Sequence, residues 1–202
     1  MYRFPKTERG LRSRIASYRE AMKREKRAIG FIDDGSGIRY VVYWLLLVLG
    51  DLKEARSYIA WYEKNFPDDM GEPIQKLCKS VLLHRMGKES KARHALADLM
   101  LSNLYLIPKL TGSDVQSLSV KLPSSFEDRE YIEEIPARII ESITNDEVDW
   151  MRSNYDSMEF RRYRKRHIEI YEELAVTSSV EKRTPLVKEA RRILDQLKKE
   201  CS

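Results

Sequence analysis

Between residues 36 and 103 the chain states one pattern twice, 37 residues apart. GDLKEARSYIAWYEKNFPDD begins at Gly50, and GKESKARHALADLMLSN begins at Gly87. Each glycine closes an apolar run, IRYVVYWLLLVL over 38–49 and IQKLCKSVLLHRM over 74–86, and each leads into an amphipathic one. A period of this size marks a helical repeat, whose units cannot cover their apolar faces alone and must stack on one another. Glycine suits the turn because it takes positive φ without a Cβ penalty. The pattern predicts an all-α chain built from helix–turn–helix hairpins.

Particular positions recur inside the unit. Ala55 and Ala92 stand early in the second helices, where a small residue lets two helices cross closely. Ile59 and Tyr62, then Leu96 and Leu99, follow as large apolar positions, and Pro67 ends the first unit because proline cannot continue a helix. These positions resemble the tetratricopeptide repeat, with Gly50 as the turn glycine of a first unit over 36–69. The departures are specific. Leu104 replaces the closing proline of the second unit, and Pro108 comes four residues later. Tyr43 and Ser80 stand where the first helix usually carries a small residue, and Arg39 and Lys76 where it carries tryptophan. The linker FPDDMGEP is about three residues longer than the repeat's period allows. The run from GSGIRYVVYWLLLVLGD to NLYLIPKLTG also resembles small bacterial proteins with a tetratricopeptide core.

The resemblance implies a short right-handed α-solenoid of tetratricopeptide-like hairpins over 36–103, and a non-enzymatic role as a protein-interaction module. Carried over by position, its partner-binding groove comprises Tyr40, Trp44, Leu47 and Val48 of the first unit, and Leu77, Val81, His84 and Arg85 of the second. Family members that grip a peptide's C-terminal carboxylate use Lys and Asn at the early and middle positions. Here Tyr40, Trp44, Leu77 and Val81 stand there, so an apolar, aromatic surface is expected in place of a carboxylate clamp. Its occupant is left open: a helix of a protein or peptide partner, a second copy in a homodimer, or the chain's own C-terminal helices, since a short solenoid must cap its ends.

The rest of the chain reads as further helices within one all-helical domain over 1–202. Residues 7–30 form a basic N-terminal helix, with Leu11, Ile15, Tyr18, Met22 and Ile29 lining one face. IDDGSG breaks it from the next helix, with Asp33, Asp34 and Ser36 as candidate caps. Pro73 suits the first turn of a helix. Residues 103–125 read as a connector with a short helix. A helical extension covers 124–202. In it a helix over 125–144 is interrupted by Pro136, either as a kink or as a fresh start at that proline. Asn145 is the expected cap of the next helix, with Val148, Met151, Tyr155 and Met158 inward, and then Phe160, Tyr163, His167, Ile170 and Leu174. VTSSVEKRTP is a linker, and 185–200 a last amphipathic helix with Leu186, Ala190, Ile193, Leu194 and Leu197 inward. Eight or nine helices are expected in all.

Charge is divided unevenly. Residues 1–30 carry ten basic against three acidic side chains, 31–149 carry 14 against 20, and 150–202 carry 13 against nine. In FRRYRKRH, helical spacing gathers Phe160, Tyr163 and His167 on one side and leaves Arg161, Arg162, Arg164, Lys165 and Arg166 around the rest. With the basic helix over 7–29, the segment 160–167 supports a second reading, a nucleic-acid-associated protein that follows a phosphate backbone.

Little points to catalysis. His84, His94 and His167 fall in no metal-ligand spacing, and DDGSG lacks the strand and lysine of a phosphate loop. Neither metal nor cofactor is expected. The longest apolar run, 40–49, is half of what a membrane span needs, about 20 residues. Two cysteines, Cys78 and Cys201, suit a reducing cytoplasm, and the N-terminus has no apolar signal region.

Overall fold

A computed structural model describes residues 2–113 and 129–200. It is all-helical, with ten α-helices and one 3-10 helix among the described residues, where eight or nine helices were expected. Cys201 and residues 114–125 of the expected connector lie outside that range.

Helix α1 (Glu8–Ile29) begins at Thr7, whose side chain accepts from the Gly10 amide. Leu11, Ile15 and Met22 are buried, while Ile29, expected on the same face, is half exposed at the last turn. Helices α2 (Ile38–Leu49) and α3 (Leu52–Asn65) form the first hairpin around Gly50, φ 73°. Asp34 starts α2: its carboxylate accepts from the amides of Ile38 (2.9 Å) and Arg39 (2.8 Å), two donors that the helix itself leaves unsatisfied. The second hairpin is α4 (Pro73–Arg85) and α5 (Glu89–Ser102), with Gly87 at φ 66°.

Helix α4 is the centre of the molecule. Pro73–Lys76, Leu77, Cys78 and Ser80–Leu83 are buried, so almost every face is covered. α2, α3 and α5 all pack on it, and each fully buried leucine there contributes roughly 1.5–3 kcal/mol. Burial pushes the Cys78 thiol well above its ordinary pKa, away from the reactive thiolate. Ala55 and Ala92 are fully buried where the second helices cross the first.

The connector contains α6 (Leu106–Thr111). Beyond the undescribed residues, the proline at 136 divides rather than kinks: a 3-10 helix spans Arg129–Glu134, and the one-turn α7 (Ala137–Ile140) follows Pro136. Helix α8 (Asn145–Tyr155) is capped by Thr144, one residue before the expected Asn145. The reason is reciprocal bonding. The Thr144 hydroxyl accepts from the Glu147 amide while the Glu147 carboxylate accepts from the Thr144 amide at 2.8 Å. Such a capping box satisfies two donors, and Asn145 has no acid at the matching position. Thr144→Ala is expected to destabilise the protein by about 1 kcal/mol, read as a lower urea midpoint with an unchanged m-value.

Ser157 caps α9 (Met158–Val176), so α8 and α9 are separate helices, and Met158 is exposed at the break rather than inward. The expected linker over 176–185 is a correction: α10 (Val180–Glu200) begins within it and contains Pro185. Pro185, the sixth residue of α10, forfeits the bond to the Glu181 carbonyl and crowds it, and packing against α9 offsets that cost. Ile193 and Leu197 are buried on that face. One hydrophobic core runs from Leu11 of α1 to Leu197 of α10.

Candidate interaction site

The surface expected as a partner groove lies along α2 and α4. Leu47, Leu77 and Val81 are buried, and Val48 is half-buried. Tyr40 donates to Asp69 at 2.7 Å beneath the Arg39 guanidinium. Trp44 donates its indole N–H to Glu72 at 3.1 Å and meets the Tyr2 ring edge-on. His84 stacks on Trp150 at 4.3 Å between ring centres and contacts Glu89. Arg85 grips both oxygens of Glu147, at 2.6 and 3.0 Å, and the Ser142 carbonyl at 2.6 Å.

These partners come from the chain itself. Tyr2 covers one end, and Tyr131, whose hydroxyl donates to Glu72, lies over the start of α4. Residues 142–150 cover the other end. Glu72 is almost fully buried; burial raises its pKa, and the donors Tyr131, Trp44 and the Gln75 amide oppose that rise. The surface at Leu47, Leu77 and Val81, whose occupant the sequence leaves open, is covered by the chain's own residues in this structure. A surface this apolar would be unstable in water, and the nearest cover is the following part of the same chain. Glu72 and Glu147 escaped the sequence reading. The Thr144-x-x-Glu147 spacing was a visible signal for the second; a lone glutamate before Pro73 was none for the first.

The basic segment is also engaged. Arg166 bonds Glu189 (2.6 and 2.8 Å) and Glu173 (2.8 Å), and Arg162 bonds both oxygens of Glu200 at 2.7 Å. Arg161 pairs with Asp156, and Lys165 with Glu169. Arg164 turns inward over the Tyr155 ring at 3.7 Å and donates to the Tyr155 carbonyl; burial lowers its pKa. On α1, Arg12 bridges to Asp51, and Arg27 pairs with Glu20. Such exposed pairs are individually weak. Arg162–Glu200 and Arg166–Glu189 join α9 to α10, and each cation of 161–166 has a carboxylate, or for Arg164 a carbonyl and a ring, beside it.

A different concavity is open. It lies between α3 and α5, floored by α4 and closed at one end by the linker that carries Asp69, Met70 and Gly71, with a volume of about 480 Å³. The linker is the same stretch that the sequence marks as overlong. Asp69 pins it, accepting from Arg39 Nε (2.6 Å), Tyr40 (2.7 Å), Tyr62 (2.8 Å) and the Gly71 amide (3.0 Å). Burial tends to raise the pKa of this carboxylate, and its donors outweigh that and lower it. Gly71 has φ 69°, a conformation that L side chains rarely adopt, so glycine suits this turn of the wall. Lys76 reaches Asp98 at 2.8 Å across the floor, and Lys79 reaches Glu63 at 2.9 Å.

The cleft offers an apolar notch with charged groups around it, an arrangement suited to binding. Among the described residues, no group of three or more His, Cys, Asp or Glu is placed to hold a metal ion, and no helix is long and apolar enough to cross a membrane. The chain matches no protein-family model, no curated protein and no solved structure.

Proposed function

We propose that this chain is a non-enzymatic protein-interaction module. Its two degenerate tetratricopeptide-like hairpins form a short right-handed solenoid, closed by a helical C-terminal extension and working in the cytoplasm. The hairpin reading is supported by the buried alanines at matching places and by glycines of positive φ after both first helices. The observation that carries the functional reading is the preformed cleft between α3 and α5. A concave site whose wall is already ordered loses little conformational entropy on binding. The α2–α4 surface, by contrast, is spent on the chain's own residues.

The test is affinity capture with the 202-residue chain, with and without nuclease, beside the variant Ser90→Trp. Ser90 is exposed at the cleft, so the indole blocks entry without disturbing the core. A protein retained after nuclease and lost on Ser90→Trp is the expected result. Retention that nuclease abolishes would replace this reading with the nucleic-acid one.

A further inference from the structure

We propose that the cleft between α3 and α5 takes an acidic peptide segment of a partner protein. An apolar side chain of that segment enters the notch beside Tyr62 and Leu83, and neighbouring Asp or Glu side chains meet Lys79 and Lys91. This inference rests on the interaction-module reading and adds the chemistry of the partner.

The cleft's charges differ in what already engages them. Asp69 accepts from four donors of the protein and has little left to offer a ligand. Asp98 and Lys76 are committed to each other, and Lys76 also donates to Ser102. Those groups build the wall and floor. Two lysines remain addressable. Lys79 faces the opening, tied only to Glu63, whose side chain is about half exposed. A pair this wet exchanges readily for another carboxylate. Lys91 is exposed on the opposite wall, in the first turn of α5. Lys79 and Lys91 thus both line the cleft, against the single exchangeable carboxylate of Glu63.

The apolar part of the site is adaptable. Met70 is 84% exposed at the lip, and its flexible, polarisable thioether can fold over side chains of different shape. Two lysines beside a glutamate are too few for a phosphate backbone, which needs a run of cations to release its counterions. They match the one or two carboxylates of a short peptide.

The experiment is selection of a random pool of short, N-acetylated and C-amidated peptides on the immobilised 202-residue chain. It is repeated with Ser90→Trp and with the double reversal Lys79→Glu, Lys91→Glu, each variant first shown to be folded by circular dichroism. Selected peptides rich in Asp or Glu next to an apolar residue are expected. Their affinity should fall about tenfold or more on the double reversal, and the reversed variant should select Lys or Arg instead. Peptides that Ser90→Trp displaces but that carry no excess of acid would overturn this inference and leave the interaction module standing. Binding that neither variant affects places the peptide elsewhere and overturns it too. A pool from which nothing is selected sinks both readings.

Discussion

Replacing Arg85 with alanine is expected to destabilise the fold by about 3–5 kcal/mol, the range for removing one member of a buried ion pair. The residue ends α4 and reaches 62 positions along the chain to Glu147, bonding both carboxylate oxygens, and it also donates to the Ser142 carbonyl. Glu147 is 5% exposed. Without the guanidinium its charge is left buried, and it must take a proton or draw the start of α8 into water. The same carboxylate caps the Thr144 amide, so that strain falls on the helix start as well. Urea titrations of wild type, Arg85→Ala, Glu147→Ala and the double variant form a double-mutant cycle. The double variant should be less damaged than the sum of the singles, since removing both charges leaves none stranded. A loss for Arg85→Ala below about 1 kcal/mol, the scale of an exposed pair, would mean that residues 142–147 do not rest on the hairpins as described.

The second large effect is on acid stability. His167 is buried on α9, its Nδ1 has no hydrogen-bond partner, and its ring lies 4.7 Å from that of Tyr171. Burial pushes its pKa down from 6.5 to about 4. The sign follows from proton counting. Between these values the unfolded chain binds a proton that the folded one refuses, so stability falls as pH drops from 6.5 to about 4. A depression of that size corresponds to up to about 3 kcal/mol. Other groups titrate nearby. Asp69 and Glu147 have lowered pKa values, so their contribution fades as pH falls below the unfolded values of 3.8 and 4.5, at the bottom of this window and beyond it; Glu72, raised by burial, gains stability on protonation and opposes the trend. The imidazole is isolated by difference. His167→Phe keeps a ring in the cavity and removes the proton site. Its stability should be nearly level across the window in which wild type declines. Parallel curves for the two proteins would show that His167 is solvated in the folded state.

Much of the helical architecture was readable because its causes are local. The three-to-four spacing of Leu11, Ile15 and Met22, the glycines at 50 and 87, and the prolines at 67 and 73 all act within a turn or two of the chain. The helix bounds around them differ from expectation by a residue or so. One misjudged boundary was a case of two local signals in competition, another of tertiary packing. Thr144 displaced Asn145 as a cap because it alone has an acid three positions on. Pro185 reads as the start of the last helix, yet α10 begins five residues earlier, where α9 offers it an apolar face to cover.

The candidate site was legible only in fragments. The overlong linker was visible, but nothing near it announced that Asp69 would gather Arg39, Tyr40 and Tyr62 and hold that linker as a wall. The basic run over 160–167 was visible too, whereas the carboxylates that engage it lie up to 38 residues away in Glu200. In the fold, Arg162 and Arg166 belong to the seam between α9 and α10, through Glu200 and Glu189.

By itself, then, the sequence determined that the chain is helical, where most helices begin and end, and that two hairpins share one pattern. Backbone hydrogen bonding, capping and apolar period operate over four residues or fewer. Only the tertiary structure decided which faces meet. Tyr131 reaches Glu72 across 59 positions and Arg85 reaches Glu147 across 62, and these contacts close the α2–α4 surface while the cleft beside α3 stays open. Which faces meet depends on the area and charge each segment can cover on every other, a comparison over the whole chain that no local window contains.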